Sequence, residues 1–372
     1  MSAVPPLPKW ADIFLLPVIN LLAAFFVCGL IVLATGENPL TALGVMIKGA
    51  FVYPGSLGYT LYYTTNFIFT GLAVAVAFHA MMFNIGGEGQ AYIGGLGAGL
   101  ASLWLAPLLP ALLVLPLAVA GAALFGAAWG FVPGYLQARR GSHIVITTIM
   151  FNFIAASIMV WLLAGPLIQA GQMSPQTPKF AASGQLPSVQ AMLGVFGFDI
   201  ANSPLNMSFL IALAALFAVW VLIWRTRLGY EIRTVGQNPD AAHYAGIDVP
   251  RVVIITLAIS GALAGLMATN EVLGVQHRVI LNFTAGYGFT GIAVALMGRN
   301  HPVGIFLASL LFGALYQGGA ELDFEFQSIT REMVLLIQGM IILFSGALAY
   351  MFNPPLARLI AALMNKREAA NV

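Results

Sequence analysis

The sequence predicts an all-α polytopic membrane protein, and three observations carry that prediction. Only 8% of the 372 residues are charged, while 60% are apolar. Mean hydropathy is +0.92. The apolar residues fall in long unbroken runs, not in the alternation over about ten residues that a membrane strand would show. A soluble domain is about a quarter charged, so this chain lacks the polar surface to coat a globule in water. A net charge of +2, with no basic run interleaved with aromatics, leaves no nucleic-acid footprint. The single cysteine, Cys28, lies inside an apolar run and reads as a buried, inert thiol, with no disulfide framework and no metal-ligand spacing.

About ten transmembrane helices are expected within one domain, 1–372. Lys9 precedes an apolar run from Ile13 to Ala34. That run exceeds the ~7–15 residues of a signal peptide core and lacks a small-x-small cleavage site. Phe26-Val27 ahead of Cys28 is also too bulky for lipoprotein processing, so 13–34 reads as the first helix. The first core helices, 67–164, are Phe67–Phe83, Ala91–Ala106, Leu109–Tyr135 and Ile144–Ala164. An outer loop over 167–206 carries Pro175, Pro178, Pro187 and Pro204, with a short helix near Val189–Val195. It reads equally as a lid, a docking surface or a passive connector. Met207–Trp224 follows, then a loop over 225–251. The second core helices, 252–351, are Val252–Thr269, Gly286–Met297, Val303–Tyr316 and Met333–Met351, with a tail over 352–372. Gly286–Met297 and Val303–Tyr316 fall short of the ~20 residues of a straight span, as discontinuous helices around a transport site do.

Charge orients the chain. With both termini cytoplasmic, the inner side holds Lys9, Arg139, Arg140, Arg225, Arg227, Arg233, Arg251, Arg299, Arg358, Lys366 and Arg367, and the outer side only Lys48, Lys179, Arg278 and Arg331. That asymmetry is the positive-inside pattern. Small residues then write the packing: Gly126, Gly130 and Gly134 share one helix face, as do Gly261 and Gly265, and such faces let backbones approach closely. A weak internal repeat relates Phe69–Val76 to Phe289–Leu296, with six identities in eight positions. Both copies run from outside to inside, as parallel repeats would.

Two polar stretches stand out. The first, Phe83-Asn84-Ile85-Gly86-Gly87-Glu88-Gly89-Gln90, sets three glycines, two amides and a carboxylate between apolar segments. Irregular backbone at membrane depth survives only where protein or a water-filled cavity covers it. It is either a turn or a site. The second is 225–251, where Asn238 is a good N-cap, Pro239 suits the first helical position, Asp240 complements the helix dipole and Gly246 supplies a stop. Ala241, Ala242, His243, Tyr244 and Ala245 make a helix too short to stand alone. It docks either on a cytoplasmic partner or on lipid headgroups.

These segments carry a family resemblance. Phe83–Gln90, Gly236-Gln237-Asn238-Pro239-Asp240-Ala241-Ala242-His243-Tyr244-Ala245-Gly246-Ile247, Gly291-Ile292-Ala293-Val294-Ala295-Leu296-Met297-Gly298-Arg299-Asn300-His301-Pro302-Val303-Gly304 and Thr147–Ala155 occur in the order and spacing of one group. They resemble the permease subunits of bacterial ABC importers in the ribose/branched-chain amino acid permease superfamily. The likeness is nearest to the simple-sugar and nucleoside branch that uses basic-membrane-protein-type binding lipoproteins, and it spans about Asn38 to Leu348.

The resemblance implies a pore-forming subunit in the bacterial plasma (inner) membrane that moves a nucleoside or simple sugar inward by alternating access. It implies cytoplasmic ATPase subunits, a second related permease or a second copy of this chain, and an extracytoplasmic binding protein. It also implies that Gly236, Asn238, Asp240, Ala241, Ala242, Tyr244 and Gly246 form the coupling segment. The chain itself is expected to bind no cofactor, no metal and no nucleic acid, and to be no enzyme. Its four lysines are followed by Trp10, Gly49, Phe180 and Arg367, so it has no Gly-Lys-Ser/Thr phosphate loop, and ATP with Mg belongs to the partner. Asn84, Glu88, Gln90 and Asn152 are expected to offer hydrogen bonds to the solute, and Phe69 and Phe83 to stack on it. The alternative is an ion-coupled secondary transporter with Glu88 as its proton site, because an intramembrane carboxylate is costly to bury.

Overall fold

Ser56–His79, here α3, has seventeen buried residues. In the computed structural model it starts well before Phe67, the start its hydropathy predicts. The intervening turns are polar, with Thr60, Thr64, Thr65 and Asn66 all at 0% exposure. They tolerate burial because their hydroxyls donate to backbone carbonyls: Thr60 to Ala50, Thr64 to Thr60 and Thr65 to Leu61, each at 2.7 Å. The structure describes residues 15–344 except 199 and 327, together with Pro8, Ala11, 353–358 and 360. Lys9, the first two residues of the expected first helix, the end of the expected Met333–Met351 span, Lys366, Arg367 and most of the tail lie outside the described residues.

The chain divides into two units, Met1–Gly49 with Leu315–Val372, and Ala50–Ala314. In chain order the helices are α1 (Leu16–Ala34), α2 (Pro39–Phe51), α3, α4 (Gly87–Leu105), α5 (Ala111–Arg140), α6 (Ile144–Ala164), α7 (Val189–Gly194), α8 (Ser208–Arg225), α9 (Arg227–Gln237), α10 (Pro239–Tyr244), α11 (Val249–Ala268), α12 (Tyr287–Met297), α13 (Pro302–Glu325) and α14 (Arg331–Ile342). Among the described residues there are no strands beyond two isolated bridges. Among the described residues, six helices are long and apolar enough to cross a membrane, or seven if α1 and α2, bent by 115° at their junction, make one span.

α6 and α12 fall where the sequence places them. α13 does not stop at Tyr316; Gln317 donates to Glu321 one turn on at 3.0 Å, which carries the helix through its polar end. α2 was absent from the sequence reading.

In the first unit, Cys28 is buried and its thiol donates to the Ile337 carbonyl at 3.7 Å. An apolar cavity of about 380 Å³ lies beside it, lined by residues that include Leu22, Phe26, Met46, Leu322 and Ile337. It offers nothing to orient a polar solute.

In the second unit, the glycine faces of α5 and α11 meet backbone to backbone. A β-carbon at Gly126 would stand 2.3 Å from the Gly261 carbonyl, and one at Gly130 would stand 2.4 Å from that of Leu257. The two repeated segments are also neighbours. Gly291 packs on Thr70 and Gly71 on Val294, so α3 and α12 lie side by side and parallel. Their common direction places His79 and Asn300 at one end, where the His79 Nε2 lies 3.1 Å from the Asn300 carbonyl.

The described residues of 167–206 form a strap over the opposite end. Thr177 donates to the Val279 carbonyl at 3.0 Å, Phe180 to that of His277 at 2.8 Å and Leu186 to that of Leu273 at 3.0 Å. α7 occupies the place expected of a short helix and is capped by the Ser188 hydroxyl, which accepts from the Ala191 N–H at 3.1 Å.

Candidate functional site

The chain between α3 and α4 does not turn at the end of the bundle; it runs back into it. Asn84 donates to the Ser260 hydroxyl at 2.8 Å, and Ser260 donates to the Ala73 carbonyl at 2.6 Å. Ala73 precedes His79 by six residues, about 9 Å along a helix. The polar stretch therefore lies inside the packed depth of α3.

There its amides hold one another. The Asn84 carbonyl oxygen accepts from the Gly86 N–H at 2.9 Å, and its amide nitrogen donates to Gln90 Oε1 at 3.0 Å. From α6, Asn152 accepts from the Gly89 N–H at 2.8 Å and donates to the Ile85 carbonyl at 2.9 Å. Gln90 and Asn84 are each 1% exposed. The arrangement satisfies backbone that the break in the helix leaves unpaired. Phe69 is fully buried in α3, and Phe83 packs edge-on against Phe78 at 5.3 Å.

Glu88, in the first turn of α4, reaches across to another helix start. Its Oε1 accepts from the Gly286 N–H at 2.9 Å and its Oε2 from the Gly288 N–H at 2.8 Å. A carboxylate thus caps α12, where the free N–H groups and the positive end of the helix dipole favour it. Gly288 lets the two helix starts touch, since a β-carbon there would stand 2.3 Å from the Glu88 nitrogen. The Tyr287 ring packs on Phe67 at 5.6 Å, and Phe67 precedes His79 by twelve residues, about 18 Å. α12 is therefore a half-helix of eleven residues that starts midway along α3. Between α11 and α12, the chain returns along α4: Val279 fills the space at Gly99, Phe283 that at Gly95, and the Asn282 N–H donates to the Tyr92 hydroxyl at 2.7 Å.

The sequence reading missed the most deeply buried carboxylate among the described residues. α11 continues as a π-helical turn, Thr269–Gln276, and Glu271 on it is 3% exposed. Its Oε1 accepts from the Tyr62 hydroxyl at 2.5 Å and from the Asn66 amide at 2.6 Å. Behind these stands a directed chain of amides. Asn206 donates to Asn270 Oδ1 at 2.8 Å, Asn270 to Asn66 Oδ1 at 2.8 Å, and Asn66 to the carboxylate. Glu271 has no cationic partner among the described residues. An acidic residue at the centre of a membrane helix costs about 2.5–3.5 kcal/mol on insertion scales. Two hydrogen bonds, at about 0.5–1.5 kcal/mol each and more where the group is charged, offset much of that. The only sequence signal was the polar character of Asn270-Glu271, which falls just past the expected end of the span at Thr269. Among the described residues, no three His, Cys, Asp or Glu side chains gather as a metal set.

Residues 236–247 fold as their side chains dictate. Asn238 Oδ1 accepts from the Ala241 N–H at 3.0 Å, Pro239 opens α10, and Gly246 takes φ +81° beyond it. Asp240 lies in the first turn, Ala242 is buried, and Tyr244 is 92% exposed. Upstream on α9, Gly236 is pressed against the end of α3, where a β-carbon would stand 2.2 Å from the His79 carbonyl. Trp224 packs on both His79 and His301 at this end, with ring centroids 5.2 and 5.1 Å apart.

Comparison with known proteins places this geometry in context. Residues 56–346 match the family described as branched-chain amino acid transport system / permease component. The chain is similar to the nucleoside ABC transporter permease protein NupB of Lactococcus lactis subsp. cremoris, with 36% identity across 89% of this chain and 90% of that protein. It is 34% identical to the glucose ABC transporter permease protein TsgB13 of Haloferax volcanii, across 88% of this chain and 86% of that one. It is also 34% identical to the guanosine ABC transporter permease protein NupP of Bacillus subtilis, across 89% and 92% respectively.

Proposed function

The chain belongs to the branched-chain amino acid transport permease family, and from that premise we propose that it carries a nucleoside or simple sugar inward across a bacterial inner membrane. It is a multi-pass membrane protein and the permease subunit of an ABC transporter, a translocation component and not an enzyme. In this proposal both termini face the cytoplasm, the 167–206 strap lies outside, and about ten membrane crossings are made in all. A binding protein delivers the solute to the outer side. A second permease, related or identical, completes the pathway. ATP and Mg are handled by separate ATPase subunits, and no cofactor binds here.

The observation that carries the mechanism is the line from α10 to the break. Tyr244 projects from α10 where an ATPase would grip it, and Gly236 bears on His79 directly ahead of the broken stretch. Movement of α9 and α10 is therefore delivered to the end of α3. In this reading Asn84, Glu88, Gln90, Asn152, Phe69 and Phe83 frame the pathway. Their hydrogen bonds tie α4 to α6, α11 and the start of α12, so these elements move together. An ion-coupled carrier with Glu88 as proton site is not favoured, since both of its oxygens hold backbone N–H groups.

Gly236, Asn238, Asp240, Ala241, Ala242, Tyr244 and Gly246 are assigned to ATPase docking. Combining Tyr244→Asp with Ala241→Asp sets two charges on the exposed face of α10. That variant is expected to lose co-purification with the ATPase while the permease itself stays folded in detergent. An intact complex would overturn the docking role.

A further inference from the structure

The second oxygen of Glu271 is the one polar atom of its network that the network does not use. Oε1 takes both donors, Tyr62 and Asn66. Oε2 takes none from the described residues. Glu271 as a whole is 3% exposed, so Oε2 is an unpartnered acceptor on a residue that the fold has taken out of water. A buried carboxylate whose only role was to hold α3 against α11 would gain by placing both oxygens in hydrogen bonds.

The surroundings of this carboxylate suit a ligand. Tyr62 and Tyr63 lie with ring centroids 4.9 Å apart, Tyr63 and Tyr287 at 6.4 Å, and Tyr287 and Phe67 at 5.6 Å. That is a continuous aromatic cluster beside the carboxylate, with Tyr62, Phe67 and Tyr287 buried and Tyr63 half-buried, at the level where the α12 half-helix starts. The amide chain from Asn206 through Asn270 to Asn66 fixes the carboxylate in place before any ligand arrives.

We propose that Glu271 Oε2 is the hydrogen-bond acceptor for the solute during its passage, with Tyr62, Tyr63 and Tyr287 as the surface against which the solute lies. This rests on the transport reading above and names the solute's chemistry. The site takes a neutral molecule that brings paired O–H or N–H donors and a flat face, and it rejects anions. A phosphorylated or carboxylated solute would bring a charge for which this site holds no cationic partner among the described residues, and an unpaired charge at a desolvated site discriminates strongly. Glu271 was not among the residues expected from sequence, and the amides that were expected are held within the chain.

The test uses a substitution that changes only the free atom. In Glu271→Gln, Oε1 still accepts from Tyr62 and Asn66, and an NH2 replaces Oε2, so an acceptor becomes a donor. The complete transporter with its ATPase and binding protein is reconstituted in proteoliposomes, and ATP-dependent uptake of labelled guanosine and glucose is measured. For the probe that the wild type carries, Glu271→Gln is expected to lose at least tenfold in kcat/KM with assembly intact. A deoxy analogue lacking one donor hydroxyl should cost the wild type about tenfold beyond its loss of binding-protein affinity, and cost Glu271→Gln less than threefold. That coupling between protein and solute changes would not arise from a structural role. If Glu271→Gln fails to assemble, the analogue series in the wild type decides alone, and an unchanged rate overturns the proposal. Uptake by Glu271→Gln within twofold of the wild type overturns the acceptor role and leaves the transport reading standing. Failure of the wild type to carry either probe overturns the solute class, and the acceptor role with it.

Discussion

Replacing Glu88 by alanine would remove the cap that starts the half-helix α12, and the size of the effect follows from the geometry. The Gly286 and Gly288 N–H groups, now 2.9 and 2.8 Å from the carboxylate, would both lose their partner. An orphaned buried N–H costs about 1–3 kcal/mol. The lost charge at a partly buried helix N-terminus adds about 0.3–2 kcal/mol. Local opening of α12 should therefore become easier by roughly 3 kcal/mol or more, about a hundredfold in the opening equilibrium. Glu88→Gln keeps one acceptor and should fall between, at about tenfold. Hydrogen exchange of peptides covering 284–297, measured on detergent-purified protein, reads this directly. The expected order of protection is wild type, then Gln, then Ala, with α8 unchanged. Equal protection in all three would refute the capping role. Loss of uptake in Glu88→Gln with unchanged exchange would instead revive a proton-site role.

The end of α3 and the strap offer two further predictions. Gly236→Ala sets a β-carbon 2.2 Å from the His79 carbonyl, so α9 must shift away from α3. Uptake should fall at least tenfold while the ATPase still co-purifies, and normal uptake would show that force does not pass through this contact. His277, just beyond the end of the long α11 span, donates from Nδ1 to the Leu273 carbonyl at 2.9 Å and sits under the strap. Its pKa is lowered by burial, with nearby Lys179 and Arg278 acting in the same direction against the Leu273 hydrogen bond. The folded ring binds a proton less readily than the unfolded one. The contribution is therefore complete above the ordinary histidine value, about 6.5, and is lost as pH falls below it. Exchange over 176–186 should rise between pH 7.5 and 5, and His277→Gln should abolish that dependence.

Much of the fold could be read from local chemistry. The Asn238 cap, Pro239 and the positive φ of Gly246 are decided within a few residues, and α10 forms where they place it. The glycine faces at Gly126/Gly130 and Gly261/Gly265 foretold close packing, and the structure pairs them with each other. Hydropathy failed where polar side chains are satisfied by something a window cannot see. α3 begins eleven residues ahead of its apolar stretch, and its threonines tolerate burial there because they bond to carbonyls of their own helix and of Ala50. Glu271 escaped notice because Tyr62 and Asn66, which make its burial tolerable, lie more than two hundred residues away in sequence.

The sequence by itself determined the class of protein, since 8% charge cannot coat a soluble globule. It also determined the small-residue faces and the short helix α10, because helix starts, stops and close approach are fixed by the residues present. The tertiary structure alone decided what the polar residues do. Phe83–Gln90, ambiguous between turn and site, is a break that re-enters the bundle, and its amides and carboxylate are held by Ser260, Asn152 and the start of α12. A side chain's capacity to bind a solute depends on which of its atoms the fold leaves unpaired. That is settled by distant partners, as at Glu271, where Tyr62 and Asn66 both bind Oε1 and leave Oε2 without a donor among the described residues.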